Sequence, residues 1–62
     1  MKDTRINHIS EVHGEYELEI IPNDDETITL CINHISIYEP SQCITFTKEG
    51  IADLIHDLNQ VL

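Results

Sequence analysis

The sequence predicts an α+β fold: a four-stranded antiparallel β-meander with one apolar face covered by a C-terminal α-helix, two layers in all. Three observations lead there. The last sixteen residues carry a 3.6-residue apolar period. The segments before them alternate with period two. Isoleucine dominates the aliphatic residues, and with Thr, Val and Tyr it favours strand over most of the chain.

The first strand is expected at about 5–12, closed by His13-Gly14 as a two-residue turn that sets Ile9 opposite Leu18. The second, about 15–21, points Glu15, Glu17 and Glu19 one way and Tyr16, Leu18 and Ile20 the other. Pro22-Asn23-Asp24-Asp25-Glu26 reads as a turn by composition. A register with Ile21 opposite Thr27 would pair Ile20 with Ile28, Leu18 with Leu30 and Tyr16 with Ile32.

The third strand is expected at about 27–38 and the fourth at 42–47, joined by a turn at Pro40-Ser41 that faces Ile37 with Ile44 and Ile35 with Phe46. Ile32 and Ile35 are an odd number of positions apart, so Asn33-His34 must reset the phase, as a β-bulge or as a tight hairpin turn; the bulge is preferred. The helix runs over about 48–61. Ile51, Leu54, Ile55, Leu58, Val61 and Leu62 form its stripe, Thr47 its N-cap, and Glu49 places an acid in the first turn.

Sixty-two residues provide material for a single small domain at 1–62. A core that small gives marginal stability, so a homodimer is one expectation. Twelve acidic residues against three basic ones give a net charge of −9, which argues against direct contact with nucleic acid or an anionic membrane. No apolar run approaches the roughly 20 residues of a membrane span. With no signal-peptide core in the polar N-terminal residues, a cytoplasmic location is expected, with Cys31 and Cys43 as thiols.

No motif announces a cofactor. His8, His13, Cys31, His34 and Cys43 would suffice for zinc, but lack the compact spacings of zinc ligands; a small His/Cys metal domain is the weakest of the three readings. Asp53, His56 and Asp57 share an exposed helix side, which offers no cleft for catalysis, and the chain reads as non-enzymatic. The pentapeptide INHIS, present at Ile6–Ser10 and Ile32–Ser36, reads as strand sequence used twice rather than as a site.

The acids are the informative feature. Glu11, Glu15, Glu17, Glu19, Asp24, Asp25 and Glu26 lie within sixteen positions that contain no Lys or Arg. Glu15, Glu17 and Glu19 form one row, spaced about 6.6–6.8 Å apart along a strand. Glu49, Asp53 and Asp57 form another at i, i+4 and i+8, where like charges oppose one another.

Two such rows resemble, in charge layout alone, a nucleic-acid backbone. The expectation is therefore a small acidic protein-binding module that engages the basic surface of a nucleic-acid-binding protein, in the manner of small phage or mobile-element inhibitors. Glu15, Glu17, Glu19, Asp24, Asp25, Glu49, Asp53 and Asp57 are its candidate partner-binding residues. The alternative is a homo-oligomeric structural module whose acids serve only solubility.

Overall fold

A computed structural model describes residues 4–62. It contains β1 (Ile6–Ile9), β2 (Tyr16–Pro22), β3 (Thr27–His34), β4 (Gln42–Thr47) and α1 (Lys48–Val61). The strands make one antiparallel sheet in the order β1-β2-β3-β4, and the helix packs on it. This is the α+β meander that the two periodicities predict.

Pairing divides the side chains between two faces. On the inner face, Ile6, Ile20, Leu30 and Ile44 form one row across all four strands, and His8, Leu18, Ile32 and Gln42 form the next. Pro22, Ile28 and Phe46 make a third row on the same face. The outer face carries Asn7, Glu19, Cys31 and Cys43 in one row, with Glu17 and Asn33 to one side and Ile21, Thr29 and Thr45 to the other.

The helix follows β4 with no connecting residue. Thr47 Oγ1 accepts the Gly50 N–H at 3.1 Å, the N-cap expected from the sequence, and the Leu62 N–H closes the other end on the Leu58 carbonyl at 3.2 Å. Gly50 sits over Phe46, where a β-carbon would stand 3.5 Å from the ring. The helix therefore starts above the Pro22–Ile28–Phe46 end of the inner face. It approaches β4 and β3, and its backbone reaches neither β1 nor β2.

That placement leaves the inner face only partly covered. Among the described residues Cys31 is the one buried apolar side chain, 4% exposed, and it lies on the outer face. Ile51, Phe46 and Leu30 are half-buried, whereas Ile32 stays 52% exposed and Ile44 63%.

Three registers differ from the sequence expectation, each for a local reason. Between β2 and β3 the pairs are Ile20 with Leu30, Leu18 with Ile32 and Tyr16 with His34, two positions from the expected set. A shift of two keeps every side chain on its face. It arises because Asn23 bonds to Thr27 beyond the last strand pair, which leaves only residues 24–26 at the tip. The Glu26 N–H donates to the Asn23 carbonyl at 3.4 Å, the Asn23 N–H to Thr27 at 2.9 Å, and Glu26 follows with φ 72°. That is a turn followed by a left-handed residue, a common way to close a hairpin.

The same loop holds Asp25. The Thr27 hydroxyl donates to Asp25 Oδ1 at 2.6 Å and the Thr27 N–H to the same atom at 3.2 Å. The hydroxyl contact first, and the backbone contact second, hold the Asp25 carboxyl below its usual range.

Glutamate is poorly suited to the left-handed region, which costs an L-residue about 1–2 kcal/mol and glycine very little. Glu26→Gly is therefore expected to stabilise the fold by about 0.5–1 kcal/mol after the extra backbone entropy of glycine, seen as a rise in Tm of a few degrees. The Lys48–Glu26 ion pair that it removes, 3.4 Å long and exposed at both ends, contributes little. A lower Tm would contradict this reading of the loop.

Between β1 and β2 the shift is one residue. His8 faces Leu18 and Ile9 faces Glu17, so Ile9 lies on the outer face and His8 on the inner one, the reverse of the expectation. The turn is not a two-residue His13-Gly14 hairpin. The Ser10 N–H donates to the Tyr16 carbonyl at 3.1 Å, Ser10 Oγ accepts the His13 N–H at 2.8 Å, and the Tyr16 N–H meets the His13 carbonyl at 2.9 Å. β1 accordingly ends at Ile9, short of position 12.

The third difference concerns Asn33-His34, which is neither a bulge nor a hairpin turn. β3 ends at His34, and residues 35–41 form a loop. His34 Nδ1 accepts the N–H groups of Ser36 and Ile37, both at 3.1 Å, which takes up the donors a continuing strand would use. Ile35 and Ile37, expected to face Phe46 and Ile44, are instead exposed in that loop.

The β3–β4 register pairs Ile28 with Phe46 and Leu30 with Ile44. It also sets Cys31 directly opposite Cys43, Cα atoms 4.1 Å apart, and the two are joined as a disulfide. The expectation of two separate thiols is corrected here. No helix among the described residues is long and apolar enough to cross a membrane.

Candidate functional site

The eight carboxylates singled out from the sequence fall into three groups. Glu17 and Glu19 project from β2 on the outer face, with Glu15 in the loop just before it. Asp24 and Asp25 lie at the tip of the β2–β3 loop and are exposed. Glu49, Asp53 and Asp57 run along the helix and are exposed, on the side opposite the apolar stripe. The helix lies over the inner face, so its acidic row and the outer-face row look away from each other. The structure does not bring all eight into one surface.

Glu17 and Glu19 are half-buried members of a polar network that the sequence reading missed. Glu17 Oε2 accepts from Asn7 Nδ2 at 2.9 Å and from Asn33 Nδ2 at 3.1 Å. Glu19 Oε1 accepts from Asn33 Nδ2 at 2.9 Å, and Arg5 Nη1 meets Glu19 Oε2 at 3.5 Å. The Ser41 hydroxyl donates to Asn33 Oδ1 from the β3–β4 loop.

This network explains the repeated pentapeptide. The two copies of Ile-Asn-His fall on β1 and β3, which flank β2. In both copies the isoleucine and histidine face inward and the asparagine faces outward, and both asparagines hold the same Glu17 oxygen. Identical spacing beside a central strand is the signal that could have revealed it.

The rest of the outer face is closed in the same way. Asn23 Nδ2 donates to Thr27 and Thr29 hydroxyls at 3.0 and 2.9 Å, and Thr29 and Thr45 share a hydrogen bond of 2.8 Å. Such a ladder satisfies its own groups and leaves a solvated surface.

The inner face is different. A shallow hollow of about 630 Å³ opens on the part that the helix does not reach, lined by His8, His13, Tyr16, Leu18 and Ile32 among others. Tyr16 and His34 meet edge to face with ring centroids 4.9 Å apart. The zinc ligands weighed from the sequence are divided by the sheet, with His8 and His34 inward and the cysteines bonded to each other on the outer face. Among the described residues no three His, Cys, Asp or Glu side chains converge as a metal site.

The described residues present a hydrogen-bonded polar sheet face, an acidic helix side, and an apolar sheet face only partly covered. Compared with known protein families, curated proteins and solved structures, the chain matches none.

Proposed function

We propose that the chain is a small non-enzymatic protein-binding module whose carboxylates address a basic surface on another protein, of the kind that elsewhere holds nucleic-acid phosphates. One observation carries the reading: with a net charge of −9, the acids of the β2–β3 loop tip and of the helix stand exposed. A field of that sign steers cationic partners and repels phosphate.

The geometry narrows the sequence expectation to one side at a time. A partner meets either the outer face with the loop tip, through Glu15, Glu17, Glu19, Asp24 and Asp25, or the helix, through Glu49, Asp53 and Asp57. Glu17 and Glu19 are already oriented by Asn7 and Asn33, so a cation would find fixed acceptors there at little ordering cost.

The test is capture from nuclease-treated lysate by the wild type and by two charge-reversed variants, Glu15→Lys/Asp24→Lys and Asp53→Lys/Asp57→Lys. Both use exposed positions. One variant should lose a basic protein that the wild type holds at low salt and releases at high salt. Equal capture by all three would sink the proposal.

A cytoplasmic location belongs to the same proposal, with a condition. A reducing compartment would hold Cys31 and Cys43 as facing thiols, while the disulfide is the form that persists under oxidising conditions. Alkylation of the chain in freshly lysed cells, read by mass, separates the two. The second reading, a homo-oligomeric module, draws on the partly open apolar face.

A further inference from the structure

The inner face presents apolar side chains that the described residues cover only in part. Leu18, Ile32 and Ile44 face the same side as Ile6, and each is more than a third exposed. The helix does not close over them: it leaves β4 directly from its N-cap above Phe46, its backbone reaches neither β1 nor β2, and Ile32 on β3 and Ile44 on β4 stay more than half exposed. Its own stripe is open as well, with Leu58 52% and Val61 80% exposed.

Two global quantities show how open the chain is as a whole. The chain exposes 5051 Å², whereas a compact monomer of 7.1 kDa exposes about 4,100 Å². The excess, roughly 1,000 Å², is close to the ~800 Å² that each partner contributes to a stable protein–protein interface. The radius of gyration is 12.8 Å, against about 10.6 Å for a compact chain of this length.

From the area, and from the lack of any buried apolar residue on this face, we infer that a second copy of the chain occupies it. The dimer is two-fold symmetric and isologous. The Leu18, Ile32 and Ile44 rows of the two copies meet, and the end of each helix, at Leu58 and Val61, extends the contact onto its partner. The hollow beside Leu18 and Ile32 is roofed in the process. A second copy brings the same patch by symmetry, so no separate complement has to be assumed. The inference goes beyond the acidic binding reading and does not need it, since the carboxylate rows remain on the outside of the pair.

Ile44 and Thr45 are neighbours on β4 that face opposite sides, and both are exposed. They permit the same added charge to be placed on either face. The full chain, Ile44→Asp and Thr45→Asp are compared by sedimentation over a concentration series, with circular dichroism to show that each folds. The wild type and Thr45→Asp should dimerise alike. Ile44→Asp, which puts two carboxylates into the interface, should dissociate about 100-fold more readily.

Carbene footprinting of the unmodified chain gives a readout without substitution: Leu18, Ile32 and Ile44 should become protected as concentration rises, while exposed Tyr38 stays labelled. A wild type that remains monomeric with Ile32 and Ile44 labelled throughout would overturn the inference and leave the face for a different partner. So would equal weakening by Ile44→Asp and Thr45→Asp.

Discussion

Reduction of the Cys31–Cys43 bond is expected to lower the unfolding free energy by about 3 kcal/mol, the loop-closure term for a cross-link of this span. The two cysteines are twelve positions apart in the chain and directly opposite each other across β3 and β4. A domain of this length has a total stability of roughly 3–9 kcal/mol. The loss is therefore at least a third of what holds it folded, and Tm should fall by about 12–24 °C.

Reduction is a cleaner test than replacement, because Cys31 is also the one buried apolar side chain among the described residues and its truncation would add a void. Melts with and without reductant should be compared at one protein concentration, since dimerisation makes Tm concentration-dependent. Superimposable curves would show that the bond does not constrain the chain.

Glu17→Lys is the second substitution of large expected effect, at about 2 kcal/mol of lost stability. The sequence places Glu17 in the acidic row of β2 and among the partner-binding candidates. The structure places it between two asparagine amides, and a lysine there would confront both donors with a third. Glu17→Gln keeps an accepting oxygen and should cost less than half as much. Denaturant unfolding of the two variants reads the difference, and equal stability would show that the asparagine clamp carries no weight. For the same reason the binding test uses Glu15, Asp24, Asp53 and Asp57 and leaves Glu17 in place.

What could be read from the sequence was local. The helix, its N-cap at Thr47 and its apolar stripe follow from neighbours within a few positions, as do the alternations of β2 and of the start of β3. Registers depended on how three loops close, and those closures rest on contacts that composition does not announce.

Glu26 takes a left-handed conformation usually given to glycine or asparagine. Ser10 captures the His13 N–H, and His34 turns its ring nitrogen back onto its own chain. Each closure moves a register, by two positions at Glu26 without harm, and by one at Ser10 so that Ile9 and His8 exchange faces. The disulfide was hidden by the same error, because only the observed β3–β4 register sets Cys31 against Cys43.

The candidate site was legible as charge and not as arrangement. Composition gives the sign and the number of acids, but which carboxylates share a side depends on the layer from which each projects. INHIS carried the organising information, since its two asparagines could meet one glutamate only if the copies flank a common strand. The open inner face was not legible at all. Apolar alternation marks the residues that seek cover, and whether the helix reaches them is decided by where β4 hands over to it.

The most direct measurement of the central claim, that a second copy of the chain covers the open inner face, is sedimentation equilibrium of the oxidised full chain at about 0.1 M and about 1 M salt. Screening lengths there are roughly 10 and 3 Å. Two copies, each carrying a net charge of −9, repel one another while their apolar faces attract. The mass should therefore approach twice 7.1 kDa, and the dimer should strengthen as salt rises, opposite to the salt response of any basic partner. A mass of 7.1 kDa at both salts and at millimolar concentration would contradict the account.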